Sequence, residues 1–142
     1  MTAKEYLRQY EHAQKRADRL REEYEVELMK IDSVRSASDN DGMPHGSGIS
    51  KPTEERALRL ADKALEWQQA ELDAIEIRRE VFNTIYRIPD IEGDVLYERY
   101  IHLRKWEEIC VQLHYSWHGI HSAHRRALVI VEGLINLGIE RH

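Results

Sequence analysis

Cysteine, phenylalanine and proline are scarce in this chain of 142 residues, at one, one and three copies. A single cysteine excludes an internal disulfide and fits a reducing compartment. So few prolines leave long stretches free to run as unbroken helix. No apolar run is long enough to cross a bilayer, and no secretory apolar segment is present. A cytoplasmic location and no membrane partner are therefore expected. A glycine-rich phosphate loop and a nucleophile turn are also missing. Carboxylate pairs such as Glu107–Glu108 are explained by a solvated helix face. The expectation is a protein that is not an enzyme and needs no cofactor.

Apolar residues make up 42% of the chain and charged residues 33%. That supports a lean core, so long amphipathic helices are expected rather than a thick globule. The net charge of −5 argues at first against nucleic acid. The charge is uneven, however. Residues 54–94 hold 6 Lys/Arg against 11 Asp/Glu, whereas residues 95–142 hold 6 against 5 and carry six of the eight histidines. From Trp117 to Val131 there is no acid at all. Binding depends on the local field, so the C-terminal part is the one to judge.

Residues 3–32 carry Tyr6, Tyr10, Ala13, Ala17, Leu20, Tyr24, Leu28 and Ile31 at steps of three and four. This is one amphipathic helix with a single seam, as in a coiled coil. Residues 33–53 break every period and are rich in Ser, Gly, Asp and Pro, which predicts a linker. Residues 54–88 predict a second long helix capped by Thr53, with Glu54 and Glu55 in its first turn and Pro89 beyond its end. It has two apolar stripes. One is Leu58, Ala61, Leu65, Leu72, Ile75 and Phe82; the other is Leu60, Ala64, Trp67, Ala74, Ile77, Val81 and Ile85. Two stripes require two partners. One is the first helix in an antiparallel hairpin; the other is the C-terminal part or a second copy of the chain. Residues 90–139 predict three shorter helices, at about 91–101, 106–113 and 116–137. The fold class expected is all-α: a long helical hairpin or coiled coil over 1–89, then a helix-turn-helix over 90–142.

The last two helices have the spacing of a helix-turn-helix. Ile109 and Leu113 are expected to face the core, and Cys110 is small enough for a close crossing. Tyr115 is expected to tuck inward, and Ser116 to cap the final helix. Ile120, Ala127 and Leu128 would anchor that helix, with Ala123 or His124 at the crossing. The DNA-binding candidates are then Trp117, His118, His121, Ser122, Arg125 and Arg126. Arginine can pair with guanine edges, and serine or histidine can donate or accept. Trp117 can rest on a thymine methyl or a sugar, or it can pack on the preceding helix. Trp106 and Tyr100 are expected in the core. Cys110, His114, His118, His121 and His124 invite a metal reading. The turn between Cys110 and the later histidines, and the drift of three-residue steps around a helix, make DNA contact or plain surface the expected role. No metal is expected.

Arg99-Tyr100-Ile101, Trp106-Glu107-Glu108-Ile109-Cys110, Leu113, Tyr115-Ser116, Ile120 and His124-Arg125-Arg126-Ala127-Leu128 resemble region four of bacterial sigma factors. With the Gly42-Met43-Pro44-His45-Gly46-Ser47-Gly48 joint and Ser50-Lys51-Pro52-Thr53-Glu54, the chain resembles the small phage regulators of the ArpU and RinA type. That resemblance implies a transcription regulator of a bacterial host cell. It would bind double-stranded DNA; because one helix-turn-helix buries limited surface, a homodimer or an RNA polymerase partner is expected for tight specific binding. The chain departs from the pattern at four places. His114 and Leu103 stand where glycine is usual, Lys105 where a capping hydroxyl is usual, and Gly119 where Thr or Val is usual.

Overall fold

The computed structural model describes residues 1–39 and 51–140, with side chains omitted at 34–39, 51 and 139–140. The described residues are all-α and contain no strand. Helix α1 is Ala3–Leu7, α2 is Gln9–Asp39, α3 is Lys51–Tyr86, α4 is Asp90–Leu96, α5 is Trp106–Leu113 and α6 is Trp117–Glu140. Between α4 and α5 the chain widens into one π-helical stretch, Tyr97–Ile101. The His102 amide donates to the Tyr97 carbonyl five residues back, at 3.1 Å.

Several predicted boundaries move. The first helix is divided at Arg8, although the Arg8 and His12 amides still find carbonyls four residues back. It also runs on through 33–39, which had been assigned to the linker. Helix α3 starts at Lys51, so Thr53 lies inside its first turn and is not its cap. Pro52 is compatible with this start because the first-turn amides have no partner within the helix. The glycine-rich joint quoted above lies outside the described residues.

The chain forms two compact units, Met1–Ala13 with Asp73–His142, and Gln14–Leu72. The division drawn from the sequence at 89/90 follows the helix pattern; by contact, residues 1–13 and the end of α3 group with α4–α6.

The first unit has a continuous apolar core. Ala3 and Leu7 of α1, Val81 and Ile85 of α3, Leu96, Tyr100 and Ile101, and Ala127 and Val131 of α6 are all buried together. A second cluster joins Val95, Ile109, Ile120 and Ala123, flanked by Ile91, Trp106, Cys110 and Leu113. Thr2 caps α1 through a reciprocal box with Glu5, which satisfies two amides that would otherwise have no partner. Gly93 lets α4 sit against the end of α3. A Cβ there would stand 2.0 Å from the Ile88 carbonyl oxygen, so no side chain fits.

The second unit is an antiparallel pair of helical segments. Tyr24 lies against Trp67 with ring centroids 5.4 Å apart, and Lys63 Nζ donates to Glu23 at 2.9 Å. Among the described residues of this unit only the small Ala17 and Ala70 are buried; the large seam residues Leu20, Leu28 and Leu60 are half-buried. The two predicted stripes of α3 separate except at Phe82, which was expected with the first stripe but is half-buried against the core. Leu60, Ala64, Trp67, Ala74, Ile77, Val81 and Ile85 are buried or half-buried, whereas Leu58, Ala61, Leu65, Leu72 and Ile75 are exposed.

Candidate nucleic-acid interface

Helices α5 and α6 meet through Ile109, Ile120 and Ala123, all fully buried, as their spacing requires. Cys110 and Leu113 pack beside them, half-buried. The turn between the helices is sharp because His114 adopts φ 59°, ψ 42°, the left-handed conformation. Leu103, in the connection before α5, also has positive φ, at 57°. These are two of the four departures from the resemblance, and both are places where glycine would adopt the backbone at lower cost. Lys105 precedes α5 without a side-chain cap, a third departure. At the fourth, Gly119, the amide donates to Ser116 Oγ at 3.1 Å, so Ser116 caps the start of α6.

Tyr115 does not tuck inward; it is 51% exposed. The left-handed residue before it redirects the chain, and Leu113 fills the inward place. The Tyr115 ring instead lies along the first turn of α6, with Cδ1 3.6 Å from where a Gly119 Cβ would stand.

The six candidates on α6 divide into two groups. Trp117, His118 and Arg125 are exposed. The Arg125 guanidinium donates to Ser122 Oγ at 3.2 Å, which fixes its direction along the helix surface. His121, Ser122 and Arg126 differ from a simple outward reading. His121 and Ser122 are half-buried. Arg126 Nε donates to Glu92 Oε1 of α4 at 2.9 Å, and this bond holds the Glu92 carboxyl below its ordinary range. An acid on a neighbouring helix therefore engages one of the two arginines. The acid-free sequence from Trp117 to Val131 could not reveal that.

His121 makes tilted ring contacts with two tryptophans. Its ring centroid is 4.6 Å from Trp106 and 4.4 Å from Trp117. The Arg99 guanidinium also lies 4.6 Å from the Trp106 ring centroid, a cation–π contact. Arg99 also donates to the Arg104 carbonyl at 2.9 Å, which anchors the row on the connection before α5. Trp117 therefore contacts His121 while remaining 53% exposed at the start of α6. Arg99 was not singled out as a functional residue, because the four members are close only after α5 folds onto α6.

Tyr100 Oη and His124 Nε2 share a hydrogen bond of 2.7 Å in the core. Burial, with Lys4, His121 and Arg99 nearby, pushes the His124 pKa down to about 4. Burial pushes the Tyr100 hydroxyl up to about 12. At neutral pH both are uncharged, so the tyrosine donates and the imidazole accepts. His124 is therefore a core histidine, as its position at the crossing predicts. Among the described residues, no group of three His, Cys, Asp or Glu is placed to hold a metal ion.

No helix of the described residues is long and apolar enough to cross a membrane. No family model, curated protein or solved structure matches this chain. What the fold defines is an all-α protein whose last two helices are joined by a tight left-handed turn.

Proposed function

We propose that this chain is a DNA-binding regulator of transcription, of phage or prophage type, that reads promoter DNA with the first half of α6. The observation that carries the reading is the pairing of α5 and α6. Ile109, Ile120 and Ala123 lock the two helices together, while Trp117, His118 and Arg125 stay exposed on a stretch without acids. In helix-turn-helix proteins the N-terminal part of the second helix enters the major groove. Arg125 would pair with a base edge, His118 would meet an edge or a phosphate, and Trp117 would rest on a thymine methyl or a sugar. His121 would position Trp117 and Ser122 would position Arg125, while Arg126 is paired with Glu92. Positive φ at Leu103 and His114, where the sigma-like pattern has glycine, supports the resemblance. RNA polymerase is the protein partner that resemblance implies. Recognition of phage DNA for packaging is an alternative job for the same surface. A protein-only adaptor is the rival of a different class, and the exposed apolar row of α3 favours it.

Retention of fragments from the source genome at several salt concentrations tests the reading. One fragment should be held selectively, with affinity falling steeply as salt rises. A His118→Ala, Arg125→Ala double variant should lose at least tenfold in affinity for it. If no fragment is held even at low salt, direct DNA reading by this chain is wrong.

A further inference from the structure

The two neighbouring arginines of α6 are held differently. The Arg125 guanidinium donates to a hydroxyl, Ser122 Oγ, at 3.2 Å, and that bond does not offset its charge. Arg126 Nε donates to a carboxylate, Glu92 Oε1, at 2.9 Å. Arg126 lies one residue on, about 100° further around the helix, on the flank towards α4. Glu92 is the fixed member of the pair. Its side chain is 19% exposed, against 57% for Arg126. Helix α4 is seated by Val95 and Leu96, both fully buried, and by Gly93 against the Ile88 carbonyl. The Arg126 bond, and then one from its own backbone amide, hold the Glu92 carboxyl below its ordinary range, so it is ionised at neutral pH.

We infer that Glu92 withholds Arg126 from DNA phosphates and so limits how tightly the chain holds any duplex. Glu92 has this role only if α6 lies in a groove of DNA, as proposed above. A helix in the major groove has a phosphate chain along each flank, so an arginine on its flank is within reach of one. To take Arg126, a phosphate must displace the carboxylate. The displaced Glu92 would then face that phosphate, like charge against like. Ser122, the partner of Arg125, is neutral and sets up no such competition. The acid-free stretch of α6 is thus partly neutralised from α4. A chain with a weaker hold on random duplex is released sooner from the many competing sites of a genome.

Binding of the whole chain to a random-sequence duplex of about 30 base pairs, followed by fluorescence anisotropy as salt is raised, tests this role. Four forms are compared: wild type, Glu92→Gln, Arg126→Ala and the double variant. Glu92→Gln should bind about three- to tenfold tighter at low salt, and its slope of log affinity against log salt should steepen by about one, for the phosphate contact regained. Arg126→Ala should change little in the wild-type background and should cancel the whole gain in the Glu92→Gln background. Net charge alone would make the two substitutions additive, and a merely structural clamp would make Glu92→Gln bind more weakly. Glu92→Ala is read in the same way if glutamine lowers the helix content. Additive effects, or unchanged or weaker binding by Glu92→Gln while the wild type still holds duplex, would overturn the role of Glu92 and leave the DNA reading intact. If none of the four forms holds duplex at low salt, the DNA reading fails and the role of Glu92 falls with it.

Discussion

The two units use different ways of holding helices together. In Met1–Ala13 with Asp73–His142, large side chains such as Leu7, Leu96, Ile109, Ile120 and Val131 are wholly buried, and the buried Tyr100 and His124 are hydrogen-bonded to each other. Among the described residues of Gln14–Leu72 the buried ones are alanines, and contact is made by half-buried rings, leucines and a surface ion pair. The first unit should therefore respond sharply to single-atom changes, and the second should not. A layered core has no slack, whereas a two-helix seam open to water can readjust.

The largest effect is expected from Gly93→Ala. A methyl group cannot be placed 2.0 Å from a backbone oxygen, so α4 must shift from the end of α3. A loss of about 3 kcal/mol is expected in urea unfolding followed through Trp106 and Trp117, in line with the larger overpacking costs. If stability were unchanged, the tight packing assigned to the first unit would be wrong.

Tyr100→Phe should come next. It leaves His124 Nε2 buried without its partner, at a cost of about 1–3 kcal/mol. The same pair gives the first unit a pH dependence. His124 titrates near 6.5 in an unfolded chain and about 4 when folded. Between those values the unfolded chain binds a proton that the folded chain does not. Stability is thus fully present above about pH 6.5 and is lost as the pH falls towards 4. Urea midpoints at pH 7, 5.5 and 4.5 measure this slope, and His124→Gln should flatten it. A variant that kept the wild-type slope would move its origin to other groups.

Leu103→Gly tests the opposite sign. The left-handed backbone at Leu103 is strained for a side chain, and glycine should raise the melting temperature, with a gain of about 1 kcal/mol. A loss instead would mean that the partly exposed leucine contributes more by packing than its backbone costs. Lys63→Gln should have the smallest effect. The Lys63–Glu23 pair lies at the surface of the second unit, and such pairs add little. An effect on the urea midpoint as large as that of Tyr100→Phe would mean that charge, not the seam, holds this unit together.

How much of this was legible in the sequence depended on range. Helix periods were visible because three- and four-residue steps are local, so α5, α6 and the covered stripe of α3 fall where the pattern puts them. Boundaries moved where composition misled, as at 33–39, where Ser and Arg continue a helix rather than end it. At the candidate site, the cap by Ser116 and the burial of Ile109 and Ile120 follow from spacing alone. The outward pointing of Tyr115 and the Arg126–Glu92 bond do not, since each depends on a turn conformation or on a residue 34 positions away.

The sequence by itself determined that this protein is helical, that α3 has two apolar faces and that the start of α6 is free of acids, because these are properties of neighbouring residues. Only the tertiary structure decided which face of α3 is covered and why residue 93 must be glycine. It also assembled Arg99, Trp106, His121 and Trp117 into one row. Each of these depends on how closely two distant segments approach, and no local pattern encodes that distance.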